Sequence, residues 1–537
     1  MKQDILIYDT TLRDGMQGEN IDFTVDEKLR IARYLDDFGV HYIEGGWPGS
    51  NPRDISFFEL AKDIKLKNAK LTAFGATRRS GLSAEEDQNL RLLIECEAPA
   101  IALVGKTWDL HVTEVMNNTL ELNLSMIRDS VEYVKSHDRE LFFDAEHFFD
   151  GYRDNGEYAL DAVLAAARAG ADAIILCDTN GGTLPHDIEA ITQKVADIFA
   201  AEFPDGQGSS RIKIGIHTHN DCGLAVANTI AGVRGGATIV QGTINGYGER
   251  CGNADLTSII PILALKMGRS CITAENLKKL KKISRFISET ANMTPLNSRP
   301  FVGKSAFSHK GGIHVSAIMK NSRAYEHIDP ELVGNQRRVL VSDLSGRSNI
   351  TYKAKELGID TGSEHFDVDR IVSEIKMLEL DGFQFEAADG SFKIVMEKIT
   401  GQFRPLFELK SFRVTIDKEA DRPCSSHATI RLAVGSSETV ASSDGDGPVS
   451  ALDKALRKAI AEFYPDSLGL DAMQLVDFKV RVLDGRDGTS AKVRVFIESR
   501  DEDEVWGTIG VSEDIIEASW DALADSCQYK LAKELKK

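Results

Sequence analysis

No CxxC pair occurs in this sequence, and its seven cysteines (Cys96, Cys177, Cys222, Cys251, Cys271, Cys424 and Cys527) are scattered and odd in number. Free thiols in a reducing cytoplasm are the simplest reading. No apolar run approaches the length of a membrane span. The opening MKQDILIYDTTLRDG lacks the basic, apolar and small segments of a signal peptide, and a strand starting almost at once is expected. Positive charge is in deficit, with a net charge of −19. That argues against nucleic-acid binding, which needs a basic surface. The acidity serves solubility, and an anionic substrate would need its own local basic groups. What is present is ordinary for a globular protein: 537 residues, 42% hydrophobic and 27% charged. Two to four domains and a large core are expected.

Short β-rich apolar runs recur at Ile5–Tyr8, Val40–Gly45, Leu71–Gly75, Ala100–Val104, Leu141–Glu146, Ala173–Cys177, Ile212–His217 and Thr238–Gln241. An amphipathic stretch follows nearly every one. After the first comes VDEKLRIARYLDDFG, with a Thr24…Glu27 capping box and Gly39 at its stop. Such units within residues 1–275 match a (β/α)8 TIM barrel of roughly 250 residues. The rival, an open doubly wound sheet, would carry a GxGxxG fingerprint after its first strand, which is missing.

A barrel places its active site at the C-terminal ends of its strands. Reactive residues cluster there: Arg13 and Asp14 after strand 1, Glu44 at strand 2, Glu146 at strand 5, Asp178 and Thr179 after strand 6. His217 and His219 end strand 7, and Asn245, Glu249, Arg250 and Asn253 follow strand 8. In a strand, residues i and i+2 share a side, so His217 and His219 can bind one ion. Asp14 is a plausible carboxylate ligand, because only strand 8 separates strands 1 and 7. Asn253 could add an amide oxygen. Nitrogen and oxygen donors without thiolate suit Mg, Mn, Co or Zn. A metal hydrolase also uses HxH in a barrel, but usually on the first strand, which here carries Arg-Asp.

DTTLRDGMQGE (9–19), HTHND (217–221), GERCGNA (248–254) and HKGGIHVSAI (309–318) resemble the signatures of the metal-dependent Claisen-condensing enzymes: isopropylmalate, homocitrate and citramalate synthases. IEGGWPGSNPRD (43–54) and FFDAEHFFDGY (142–152) look most like the citramalate synthase branch. The cleaving lyases of the superfamily carry a Gly-Gly-Cys-Pro segment that is absent here. The resemblance implies condensation of acetyl-CoA, as co-substrate, with pyruvate and water to citramalate and CoA, feeding isoleucine biosynthesis. Isopropylmalate synthase is the alternative acceptor reading and homocitrate synthase the third; a non-catalytic metal- and amino-acid-binding regulator is the alternative of another class.

The resemblance also assigns roles. Asp14, His217 and His219 hold the metal, with Asn253 more distant. Arg13 stabilises charge on the keto oxygen, and Thr179 bonds the oxo-acid carboxylate. Gln17 orders the first loop. Glu146 and His314 work as a pair to remove the methyl proton, and Tyr325 lies near the acetyl-CoA site. Many family members carry Asp two residues after the His, where this chain has Ser316. Trp47 is a candidate for narrowing the pocket towards a methyl group. His111, His147, His309 and His327 read as surface or structural.

Beyond the barrel, 276–330 reads as a linker or lid, 331–405 as a helical subdomain, and 406–537 as an α+β regulatory domain. The last contains a βββα pseudo-repeat whose helices share SALDKAL and EASWDAL, an arrangement that often dimerises. The resemblance implies an amino-acid effector there, isoleucine for this branch, in a homodimer.

Overall fold

The computed structural model describes residues 5–204, 212–341, 345–362, 366–464, 469–470, 472–483 and 491–535. They fall into two compact units: Met1–Phe307 with Ile328–Gln336, and Ser308–His327 with Arg337–Lys537.

The first unit is a closed barrel of eight parallel strands in sequence order. They are β1 (Leu6–Asp9), β2 (Tyr42–Gly46), β3 (Lys70–Ala76), β4 (Ala100–Lys106), β5 (Glu140–Glu146), β6 (Ala173–Asp178), β7 (Lys213–Thr218) and β8 (Ile239–Gly242). Leu6 pairs with Ile239 to close the ring. Every expected strand is found within two or three residues. Side-chain alternation makes the interior a column that is apolar below and polar above. Ala100, Ala173 and Ile239 fill its base, and Tyr8, Tyr42, Ala102, Phe142 and Ile175 the middle. Further along the same parities come Glu44, Asp144, Cys177, His217 and Gln241, so the functional end is simply the continuation of the core pattern.

The helix after β1, α1 (Val25–Phe38), has both halves of its capping box, Thr24 and Glu27, and Gly39 in the left-handed conformation at its end. α1 also buries Lys28 completely; its Nζ lies 2.5 Å from Asp54 of α2 (Pro52–Ala61). The second Asp54 oxygen accepts the Trp47 N–H at 2.8 Å. This pair anchors the end of β2, where the register slips between Glu44 and Gly46. A Cβ on Gly46, at φ +145°, would sit 2.3 Å from the Asp54 carboxyl carbon, so only glycine allows the slip that turns Trp47 inward.

In the second unit, helices Arg347–Glu356, Val368–Leu380 and Asp389–Ile399 pack around Phe385, Phe392 and Met396. Two three-stranded antiparallel sheets follow. The first, Glu408–Asp417, Ser425–Val434 and Ser437–Gly445, leads into helix Pro448–Ala461. The second, Gln474–Val482, Val493–Arg500 and Val505–Ser512, leads into helix Ile515–Glu534. Both first strands carry a bulge two residues in, at Leu409/Ser411 and Leu475/Asp477, so the pseudo-repeat extends to the irregularities. No helix among the described residues is long and apolar enough to cross a membrane.

Removing one partner of a buried ion pair leaves the other charge uncompensated. Asp54→Ala is therefore expected to cost roughly 3–5 kcal/mol, read as an earlier urea transition of the barrel followed by tryptophan fluorescence.

Candidate functional site

A cavity of about 680 Å³ opens at the C-terminal ends of the strands, a size that suits a small organic ligand. Arg13, Asp14, Gln17, Trp47, Phe74, Lys106, Asp144, Glu146, Thr179, His217, His219 and Glu249 line it.

At its floor, His217 Nε2 stands 3.3 Å from Asp14 Oδ2 and 3.2 Å from His219 Nε2. One ligand atom from each of the three lies within 4.8 Å of the others, and all three residues are buried. His217 Nδ1 is 2.8 Å from Gln241 Oε1, and Gln241 Nε2 donates to Asp144 at 3.2 Å. With the amide NH2 turned to a carboxylate, its oxygen accepts the Nδ1–H, and the Nε2 lone pair faces Asp14 and His219. Two ring nitrogens and a carboxylate converging this closely have more lone pairs than protons to share. His219 Nδ1 and Asn253 Oδ1 are buried with no partner among the described residues. Asn253 is bridged to His219 through the backbone, which carries the strand-8 loop to the cluster. The set fits a divalent cation taking nitrogen and oxygen donors.

Electrostatics agree with that use. Burial works against the Asp14 charge, but Arg13 and the two histidines outweigh it and hold the carboxyl well below the usual range. Burial beside His217 pushes His219 down to about 4, keeping its ring neutral and its lone pair available at neutral pH. Burial opposes protonation of His217 too, yet the Asp14 contact raises it. Burial and the Glu44 charge push Asp144 up to about 7.

Arg13 is fixed from two sides. Its Nε donates to Glu44 Oε1 at 2.5 Å, and its guanidinium carbon sits 3.8 Å from the centre of the Phe74 ring. Glu44, fully buried, also accepts the Tyr8 hydroxyl at 2.6 Å. Trp47 packs edge-on to Phe74, with ring centres 5.4 Å apart, and donates to Asn89 at 2.6 Å. An aromatic wall thus backs the guanidinium. Thr179 Oγ1 accepts the His147 N–H at 2.9 Å, which leaves its own proton to donate into the cavity. Arg250 ties three loops together, bonding Asp221 at 2.8 Å and the Thr179 carbonyl at 2.7 Å. It thereby holds the strand-8 loop. Asp178 fixes its own loop through Thr183 and Asn228. Glu146, at the end of β5, is ion-paired with Lys106 of β4.

His314 and Tyr325 lie in the second unit. His314 is exposed on helix Gly312–Lys320, and its ring stacks on that of Tyr325 at 4.1 Å between centres.

Sequence reasoning missed Tyr8, Lys106, Asp144 and Gln241. The parity of β5, with Phe142, Asp144 and Glu146 on one side, was the available signal for Asp144. Strand parity likewise turns Lys106 and Gln241 inward, but the partners they meet come from other strands.

Comparison with known proteins accounts for nearly the whole length. Residues 4–287 match the HMGL-like family, 301–381 the homocitrate synthase post-HMGL domain-like family, and 386–531 the LeuA allosteric (dimerisation) domain. An (R)-citramalate synthase of Aquifex aeolicus is 52% identical over 99% of both chains. One of Geobacter sulfurreducens is 50% identical over 98% of both. A probable 2-isopropylmalate synthase of Methanopyrus kandleri is 32% identical over 97% of both. By its barrel and by its full-length likeness, the chain belongs to the HMGL-like family and, within it, to the group of the (R)-citramalate synthases.

Proposed function

We propose that this protein is a cytoplasmic acyltransferase that condenses acetyl-CoA with pyruvate and water to give citramalate and CoA, supplying isoleucine biosynthesis. The observation that carries the reading is one cavity in which a metal-type triad, a fixed guanidinium and a carboxylate share the same space. The 52% identity to a citramalate synthase, against 32% to a probable isopropylmalate synthase, favours pyruvate as the acceptor.

Asp14, His217 and His219 would hold a divalent ion such as Mn, Mg, Co or Zn, with Asn253 at the edge of the set. Such an ion, when bound, supplies a Lewis acid for the keto group. Thr179 donates its hydroxyl proton to the oxo-acid carboxylate. Arg13 faces the keto oxygen and stabilises the charge that builds there as the C–C bond forms; Glu44, Tyr8 and Phe74 fix its position beforehand. Gln17 closes the cavity beside Asp14. Glu146 takes the methyl proton of acetyl-CoA. His314 and Tyr325 serve the acetyl-CoA end of the reaction. Trp47 and Phe74 leave an apolar wall suited to a methyl group.

The C-terminal repeats would bind isoleucine and join two chains. Supporting the second point, Phe478, Val480 and Val482 alternate along one strand, each 37–54% exposed, and so line one face of it.

CoA release followed with a thiol reagent, with Mn present, is expected with pyruvate and at most weakly with 2-oxoisovalerate or 2-oxoglutarate; silence with all three would overturn the assignment. Gln241→Leu, which frees the His217 ring, is expected to weaken Mn binding about 10–100-fold by titration calorimetry. Wild-type Mn affinity should also fall as pH drops below neutrality, because the Asp14 contact raises His217 and protons compete for its Nε2. Isoleucine is expected to give a saturable heat that leucine gives only weakly; no heat with any branched-chain amino acid would leave the repeats a purely dimerising domain.

A further inference from the structure

The paired cations of the cavity do different work. Arg13 is committed to Glu44, and Arg78 to Asp129 and the Leu82 carbonyl. Lys106 alone among these is bonded to Glu146: its Nζ donates to Glu146 Oε2. The two are register partners at the last residues of β4 and β5. Their backbones are pinned together. Thr107, fully buried, donates its N–H and its hydroxyl to the Glu146 carbonyl at 3.3 and 2.7 Å. The Lys106 carbonyl accepts from Asn123 at 2.9 Å. Ala102, Val104 and Lys106 share the inward side of β4, and the Lys106 and Glu146 side chains, 31% and 24% exposed, both line the cavity.

A surface lysine–glutamate pair contributes about 0–1 kcal/mol and needs no function. This one faces the reacting space, and its charge changes during the proposed reaction. When the methyl C–H bond breaks, an O–H bond forms on Glu146 and the electron pair settles on the thioester oxygen. The negative charge leaves Glu146 for the enolate, while the ammonium stays beside both. We propose that Lys106 is a catalytic residue of the enolisation step, holding Glu146 in place before proton transfer and donating to the enolate oxygen afterwards. The inference rests on Glu146 as the base.

Removing one preorganised donor to a developing oxyanion typically lowers kcat by about 10²–10³-fold. Lys106→Met, and Lys106→Gln should the first variant not fold, are expected to show that loss with the pyruvate KM and the Mn affinity within about threefold of wild type. The kcat isotope effect with trideuterated acetyl-CoA should rise, since proton transfer becomes slower. Lys106→Arg should restore about a tenth or more of the activity. A Lys106→Met enzyme with kcat within about threefold of wild type would overturn the proposal. So would a raised pyruvate KM at unchanged kcat, which would make Lys106 an oxo-acid ligand. Glu146→Gln separates the two readings: if it is inactive while Lys106→Met is active, only the lysine inference fails. If Glu146→Gln itself turns over normally, the base assignment fails first.

Discussion

Buried negative charge at the top of the barrel is the constraint on which the site depends. Asp14, Glu44 and Asp144 are each 0–4% exposed, and Arg13 is the cation set among them. Three carboxylates cannot all ionise beside a single guanidinium without a large penalty. The structure answers in two ways. Burial and the Glu44 charge push Asp144 up to about 7, so part of the charge is removed by protons. Arg13 answers Glu44 directly, and the rest of the charge sits at Asp14, where two imidazoles face it with their lone pairs. A divalent cation is the natural complement to that surplus, and the same surplus keeps Arg13 from swinging into solvent. The fixed guanidinium and the metal-type triad are therefore two consequences of one arrangement of charge.

The barrel was legible in the sequence because its signal is repeated. Eight β-rich runs, nearly every one followed by a helix pattern, survive boundary errors of a residue or two. The HTHND triad was legible because a strand puts i and i+2 on one side, a rule that needs no tertiary knowledge. The supports of that triad were not legible. Gln241 reaches His217 across the β7–β8 seam, and Asp144 reaches Gln241 from the far side of the barrel, 97 residues away in sequence. Lys106 meets Glu146 only because β4 and β5 align their last residues. Such pairs are fixed by register, which follows from closure of the ring rather than from either segment. The bulge at Gly46 escaped reading for the same reason: its cause, the Asp54 carboxylate, sits on another element.

In the C-terminal domain the repeat was readable from composition, but its depth was not. The two bulges at matching positions bend each first strand in the same way, so each sheet can curve over its own helix. Ala451, Leu452, Ala455, Leu456 and Ala459 on one helix, and Ala518, Ala522 and Leu523 on the other, are fully or almost fully buried in one shared core. Small residues there allow close approach of helix to sheet, while the apolar side of strand Gln474–Val482 stays exposed. Phe478 and Val480 lie opposite the buried Ile497 and Val495, on the helix-facing side of the sheet, yet stay 37% and 42% exposed, so the core-side face of this strand is left uncovered.

The loops above the barrel are held in conformations that the chain would not choose locally. His147, Asn245 and Arg250 are non-glycine residues with φ of 56°, 67° and 55°. Left-handed backbone of this kind costs of order 1–3 kcal/mol per residue unless the surroundings fix it. Each of the three is fixed by a bond that serves the site. The His147 N–H reaches Thr179 and aims its hydroxyl; the Asn245 amide bonds Ser284 and Ser288; the Arg250 side chain reaches Asp221 and the Thr179 carbonyl. A relaxed loop would lose these contacts and with them the convergence of strands 5, 6, 7 and 8 on one point. The strain is placed where separate loops must be held at a common centre.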